Sequence, residues 1–222
     1  MIKISSSQKL IMVFIAFIVT LLVCRFFYAH SVTYLFLLWN LFLAWIPFKL
    51  SMILTSRKNM SQWVAYFLLA AWLLFFPNAL YIITDLIHLE NLKSDVPVWF
   101  DAILLFTSSI AGLLMAFASL FKVEAFLQQK MRAVIVNKLI IGCLFVGSFG
   151  VYLGRFLRWN SWDIITHPFN LLTQVIAPFI FPLQHYKTWG ITGLFTCLFG
   201  LLYFTIKKLP GFLKEPGNKF IA

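Results

Sequence analysis

Six long apolar runs, each about as long as a membrane is thick, constrain this chain more than any other feature. A helix needs about 20 residues to cross the hydrocarbon core of a bilayer. Inside the bilayer the backbone must satisfy its own polar groups, so such runs form helices. The sequence therefore predicts an all-α, polytopic transmembrane helix bundle, with a single integral membrane domain over residues 1–222. The predicted spans are approximately 10–29, 32–54, 63–84, 98–121, 134–154 and 189–206.

The composition agrees with a membrane protein. Only 11% of the residues are charged and 62% are hydrophobic, whereas soluble domains average about 25% charged residues. The formal charge of +11 does not indicate a nucleic-acid partner, because the Lys and Arg residues stand singly or in pairs between apolar runs. Positive charge that sets the orientation of spans has this distribution. The predicted partner is the lipid bilayer, and no nucleic acid is expected.

A shorter apolar stretch, 168–183, decides how many spans the chain has. Its outer prolines, Pro168 and Pro182, are only about 14 residues apart, which is typical of a re-entrant or interfacial segment. With six spans, most of the 18 Lys and Arg residues share the side of the N-terminus, whereas a seventh span makes the division nearly even. Basic residues near span ends prefer the cytoplasm. We therefore expect six spans with both termini cytoplasmic, and a cytoplasmic connection with a short amphipathic part at 122–138.

The cysteines do not predict a redox or metal site, and the N-terminus does not predict a cleaved signal peptide. Cys24, Cys143 and Cys197 lie in or beside apolar runs without a CxxC spacing, so we expect buried, inert thiols. The first residues resemble a signal peptide, but no small-x-small cleavage site precedes Arg25. We therefore expect the first span to be retained.

A polar stripe interrupts the outer end of the third predicted span. Asn78, Tyr81, Asp85 and His88 are three or four residues apart, which places them on one face of a helix. Polar groups at membrane depth are costly and usually face a bundle interior or a wet cavity. The alternative is that Asn78 and Tyr81 only bond to neighbouring helices, with Asp85 and His88 at the level of the headgroups.

Two features beside these polar residues predict contacts between spans. Pro77 leaves the carbonyl near Leu73 without its helical donor, and Asn40 could supply one. The fifth span has a smooth glycine face that lets another helix approach closely, and we expect the third span there. The glycines are Gly147, Gly150 and Gly154.

A second polar concentration follows the fifth span. Arg155 and Arg158 are one turn apart. Arginine outside the cytoplasm runs against the positive-inside tendency, so we expect pairing with Asp85, Asp101, Asp163 or an anionic ligand, the alternative being snorkelling to lipid headgroups. With six spans, both concentrations share the extracytoplasmic face. The neighbouring polar and aromatic residues are Trp159, Asn160, Trp162 and His167.

The chain resembles a known bacterial family in four segments. They are FLLWNLFLAWIPF, FFPNALYIITDLIHL, VWFDAILLF and SFGVYLGRFLRWNSWD. In this order, over nearly the whole chain, they are similar to the membrane-protein family of domain of unknown function 1361. Leu80 stands where the family form PNAPY has its second proline. The resemblance implies a small polytopic membrane protein and implies no activity. We expect its location to be the bacterial plasma (inner) membrane.

Three functions remain open on the sequence. An enzyme acting on a lipid or lipid-linked anionic substrate would use Asp85 and His88 for proton transfer or metal ligation. A transporter would need a polar path through the inner halves of the spans, which have almost no ionisable residues. A structural or assembly factor would use the same polar residues only to lock helices together. The residues expected to bind a substrate are Asn78, Tyr81, Arg155, Arg158, Asn160 and Asp163.

The sequence does not define a cofactor, a metal or an oligomeric state. Asp85, His88, Asp101, Asp163 and His167 include enough oxygen and nitrogen ligands for a divalent ion, but their spacing is not diagnostic. No nucleotide-binding, zinc-protease or hydrolase motif is present.

Overall fold

The computed structural model describes residues 6–57, 60–91, 96–159 and 162–213, and all regular secondary structure within these ranges is helical. A 3₁₀ segment, Ile82–Asn91, directly continues the third helix. The α-helices are α1 Ser6–Ala29, α2 Phe36–Ser56, α3 Gln62–Tyr81, α4 Val98–Gln128, α5 Ala133–Phe156, α6 Asp163–Thr166, α7 Pro168–Ile180 and α8 Tyr186–Leu213.

Among these elements, six helices are long and apolar enough to cross a membrane. They are α1, α2, α3 with its 3₁₀ continuation, α4, α5 and α8, and each overlaps one predicted span. The 13-residue α7 is shorter than a span, as expected for the 168–183 stretch. The predicted all-α architecture of a multi-pass membrane protein is therefore confirmed.

Helix α4 is the central element of the bundle. It packs against α1, α2, α3, α5 and the 3₁₀ segment, while α2 also packs on α3, α3 on α5, and α5 on α8. Its buried face carries small residues, including Ser108, Ser109, Ala111 and Gly112, which allow the neighbouring helices to approach closely. The hydroxyls of Ser108 and Ser109 donate to carbonyls four residues earlier at 2.8 Å, so these two buried hydroxyls are satisfied within the helix.

The glycine face of α5 packs on α3, as the sequence predicts. A Cβ atom at Gly150 would lie 2.5 Å from Cγ of Pro77, and one at Gly147 would lie 2.9 Å from Cδ1 of Leu80. A Cβ atom at Gly154 would lie 3.3 Å from the ring of Tyr81. At Gly150 the two helices are therefore closer together than a side chain would allow without a shift of Pro77, whereas at Gly154 the Tyr81 ring would have to move only slightly.

Three expectations are wrong in detail. Asn40 donates to Asp85 and not to the carbonyl of Leu73. Residues 122–128, expected in a cytoplasmic connection, continue α4, because the helix runs on past Lys122 with a buried face. Cys24 and Cys197 are exposed on the apolar surface of the bundle, and Cys143 is only partly buried, although all three thiols are free as expected.

Candidate functional site

A buried ion pair between Asp85 and Arg155 joins the end of α3 to the end of α5. Oδ1 of Asp85 accepts a hydrogen bond from Nη2 of Arg155 at 2.5 Å, and Oδ2 accepts one from the Asn40 amide at 2.8 Å. The Asp85 side chain is 1% exposed and that of Arg155 is 13% exposed. Because a buried carboxylate is costly unless paired and hydrogen-bonded, these two partners explain how Asp85 is accommodated.

Arg155 uses its remaining groups on the same segment. Its Nε donates to the Thr84 hydroxyl at 2.8 Å, and its Nη1 lies 3.4 Å from Nε2 of His88. The guanidinium carbon lies 4.7 Å from the centroid of the Tyr81 ring, a cation–π contact. Each of the three guanidinium nitrogens of Arg155 therefore has a partner among residues 84–88.

The local backbone explains why these residues face Arg155 together. A 3₁₀ helix has three residues per turn, so Asp85 and His88 are aligned one above the other. The Thr84 hydroxyl also donates to the Tyr81 carbonyl at 2.6 Å, which satisfies an acceptor where α3 ends. The structure thus brings together three residues of the predicted stripe, namely Tyr81, Asp85 and His88. Their roles towards a ligand stay predictions.

A second buried ion pair joins α1 to α4. Nε of Arg25 lies 2.7 Å from Oδ1 of Asp101 and its Nη2 lies 3.2 Å from Oδ2, with both side chains at most 3% exposed. The guanidinium of Arg25 also lies 4.4 Å from the ring centroid of Tyr34. Burial raises the pKa of the Tyr34 phenol, with Asp101 adding to the rise and Arg25 opposing it. Asp101, expected as a partner of Arg155 or Arg158, is therefore paired with Arg25.

The ion pair and its contacts, Asn40, Tyr81, Thr84 and His88, form the Asp85–Arg155 cluster, and neither Arg158 nor Asp163 forms an ion pair with it. Arg158 is exposed, has a left-handed φ of 60°, and forms no ion pair within the part of the chain that the structure describes. Asp163 accepts a hydrogen bond from the Thr166 hydroxyl at 3.1 Å and lies 3.9 Å from Nδ1 of His167, all within α6 and its end. Asn160 lies outside the described residues.

These pairings also separate the residues considered for a divalent ion. Asp85 and Asp101 each bind a different arginine, and Asp163 lies with His167. Within the described ranges, no three His, Cys, Asp or Glu side chains are grouped as metal ligands would be. The geometry therefore offers no metal site from this set.

A cavity of about 510 Å³ lies beside the Asp85–Arg155 cluster. Asn40, Asn78 and Tyr81 are its polar lining residues, and each is part of the cluster or one turn from it. Volumes of this size are typical of sites for small ligands, which combine apolar walls with a few polar groups. The walls come from α2, α3, α5 and α7 and include Leu43, Leu73, Val146, Phe149, Leu171 and Val175.

The cavity is bounded on one side by the α5–α7 connection and α7. Nε1 of Trp159 donates a hydrogen bond to Oε1 of Gln174 on α7 at 3.0 Å. The ring centroids of Trp39 on α2 and Trp162 in the connection are 6.1 Å apart. Leu74 is 38% exposed at the apolar surface and also lines the cavity. The cavity is thus not fully enclosed, and at Leu74 its wall continues into the apolar outer surface of the bundle.

At the other end of α4, Glu124 forms a polar cluster that sequence analysis missed. Its carboxylate accepts hydrogen bonds from the Tyr203 hydroxyl, the Lys207 ammonium and, at 3.1 Å, the Gln128 amide. Asp101 and Glu124 are about 35 Å apart along the helix at 1.5 Å per residue. The residues were present in the sequence, but ending the fourth span at 121 placed Glu124 in a loop.

Comparison with known proteins identifies the family to which the chain belongs. No curated protein and no solved structure matches the chain. The family described as "Protein of unknown function (DUF1361)" matches residues 39–202, which include α3, the 3₁₀ segment and α5, and therefore the whole Asp85–Arg155 cluster. Because this match covers well over half of the chain, the protein is a member of the DUF1361 family.

Proposed function

We propose that the protein binds a lipid or lipid-linked anionic molecule at the extracytoplasmic face of the bacterial plasma membrane. The observation that carries this proposal is the cavity of about 510 Å³, which is apolar except at the end beside the Asp85–Arg155 cluster. An amphipathic molecule is likewise apolar along most of its length and polar at one end. Its apolar part would lie between α2, α3 and α5, with its polar part near Tyr81 and Asn78.

The anionic part of the proposal is supported by Arg158. This side chain is exposed and directly precedes Trp159, which lines the cavity. Arg155 is already neutralised by Asp85. A phosphate or carboxylate would therefore bind beyond the polar end of the cavity, at Arg158, where guanidinium groups bind anions well.

Binding is better supported than catalysis by Asp85 and His88. Both oxygens of Asp85 accept hydrogen bonds from the protein, and neither Asp85 nor His88 lines the cavity. We propose that the pair positions Arg155 and, through it, Tyr81. A proton-transfer role for Asp85 and His88 stays a prediction.

Transport is supported less well. The buried ionisable groups form two layers near the ends of α4, about 35 Å apart. Between them, the core of α4 consists of apolar residues and of hydroxyls bonded to their own helix, such as Ser108. A proton or ion path would need ionisable groups or water in this region.

Lipid binding can be tested by native mass spectrometry of the purified protein. Ala70→Trp fills the cavity from α3, so a lipid that co-purifies with the wild-type protein should be lost. Gly142→Trp is the control, because this position of α5 is exposed and nothing lies within 4 Å of a Cβ atom there. The same lipid at the same occupancy in Ala70→Trp would refute the proposal.

Orientation can be tested with single cysteines in a variant lacking Cys24, Cys143 and Cys197. A membrane-impermeant maleimide should label Thr33→Cys and His167→Cys in intact cells, because both sites are exposed near the Asp85 end of the bundle. Gln129→Cys, exposed beyond the other end of α4, should be labelled only after the cells are permeabilised. The reverse pattern would place the cavity on the cytoplasmic side.

A further inference from the structure

We infer that the polar end of the cavity recognises an uncharged hydroxyl group, carried by the ligand next to its apolar part. The Tyr81 hydroxyl and the Asn40 amide oxygen would bind this group. The inference rests on the proposed lipid binding and specifies the chemical class of the ligand: a hydroxyl-bearing amphiphile whose anionic group, where it has one, lies further out.

Tyr81 lines the cavity, and neighbouring residues hold its ring in place. Its ring contacts two consecutive residues of α5: the Arg155 guanidinium carbon lies 4.7 Å from the ring centroid, and a Cβ atom at Gly154 would lie 3.3 Å from the ring. The hydroxyl itself has no hydrogen-bond partner among the residues in the described ranges. Because the ring is already held, binding a ligand there costs little side-chain entropy.

Asn40, which lines the same cavity, has an amide oxygen that can accept a hydrogen bond. Its amide nitrogen donates to Asp85 at 2.8 Å, and this bond fixes which end of the amide is available. The amide oxygen has no hydrogen-bond partner within the described part of the chain. Both residues line the same cavity and touch the same ion pair. A phenol and an amide oxygen match a ligand hydroxyl, which donates one hydrogen bond and accepts others.

The charges around this end disfavour an anion there. Arg155 is the nearest cation to Tyr81, but it is paired with Asp85 at 2.5 Å and bonded to Thr84. An anion beside Tyr81 would meet the two opposite charges together, while losing its hydration in an apolar cavity. A hydroxyl loses less on entering and recovers its hydrogen bonds. The polar end therefore favours a neutral group.

Two probes with the same oleoyl chain test this inference: monooleoylglycerol, which carries hydroxyls, and methyl oleate, which carries none. Native mass spectrometry of the full-length protein, titrated with each probe, gives the two affinities. The wild-type protein should bind monooleoylglycerol about tenfold more tightly, which is the effect of one or two net hydrogen bonds. Tyr81→Phe should reduce this preference to about twofold by weakening monooleoylglycerol alone.

Tyr81→Phe keeps the ring that contacts Arg155 and Gly154, so its melting temperature should equal that of the wild-type protein. The inference is wrong if the wild-type protein does not distinguish the probes, or if Tyr81→Phe leaves the preference unchanged. It is also wrong if the variant weakens both probes equally. Ala70→Trp should lose both probes, whereas binding of both at wild-type affinity would instead refute the proposed lipid cavity.

Discussion

Replacing Arg155 with Gln should destabilise the protein strongly, because it leaves a buried carboxylate without its charge partner. Asp85 is 1% exposed and would keep the Asn40 amide as its neutral donor. Removing one member of a buried ion pair costs about 3–5 kcal/mol. For a chain of this size each kcal/mol lowers the melting temperature by about 2–4 °C. We therefore expect a loss on the order of 10 °C.

Thermal unfolding in detergent can be followed with a thiol-reactive dye. In a variant with Cys24 and Cys197 changed to Ser, the partly buried Cys143 on α5 reports unfolding of the helix that carries Arg155. Arg158→Gln is the matched control. This arginine is exposed and unpaired among the described residues, so its loss should change stability by less than about 0.5 kcal/mol.

A double variant separates charge from packing. Asp85→Asn with Arg155→Gln has no buried charge left at this site, so it should recover a large part of the stability lost by Arg155→Gln alone. The reasoning is refuted if Arg155→Gln costs no more than Arg158→Gln. It is also refuted if the two single changes simply add in the double variant.

Two further changes test the packing and the second polar cluster. Gly150→Ala should cost about 1–3 kcal/mol, because its Cβ atom would lie 2.5 Å from Pro77. Gly142→Ala meets nothing within 4 Å and should be neutral or stabilising by up to about 1 kcal/mol; equal melting temperatures would contradict the α3–α5 contact. Lys207→Met should cost about 1–2 kcal/mol, less than Arg155→Gln, because Lys207 is 34% exposed and Glu124 keeps Tyr203 and Gln128 as donors. Lys208→Met, on the exposed side of α8, should leave the melting temperature unchanged.

The helical architecture could be predicted because it depends on local properties of the sequence. Run length and apolarity identify spans, and a spacing of three or four residues places Asp85 and His88 on one face whether the segment is α or 3₁₀. The glycine face of α5 could be matched to α3 for a similar reason, since Gly150 and Pro77 both lie towards the C-terminal ends of their helices. These features need no knowledge of how the helices are rotated.

The partner of each arginine could not be predicted, because it depends on that rotation. Arg155 and Arg158 are three residues apart, yet α5 ends at Phe156, so Arg155 is fixed by the helix and Arg158 follows a turn. On the sequence alone, Asp101 was as good an ion-pair partner for Arg155 or Arg158 as Asp85 was. It pairs with Arg25 because α1 packs on α4, a contact without a sequence signal.

The length of α4 has a consequence for how the protein lies in a bilayer. Its 31 residues extend over about 46 Å, whereas the hydrocarbon region is about 30 Å thick. The carboxylates of Asp101 and Glu124 are each tied to a basic side chain of another helix, so neither end of α4 can slide into the lipid without carrying that neighbour along. The bundle should therefore keep a fixed depth in the bilayer. In a thinner membrane, either the whole protein would tilt or the bilayer would deform around it.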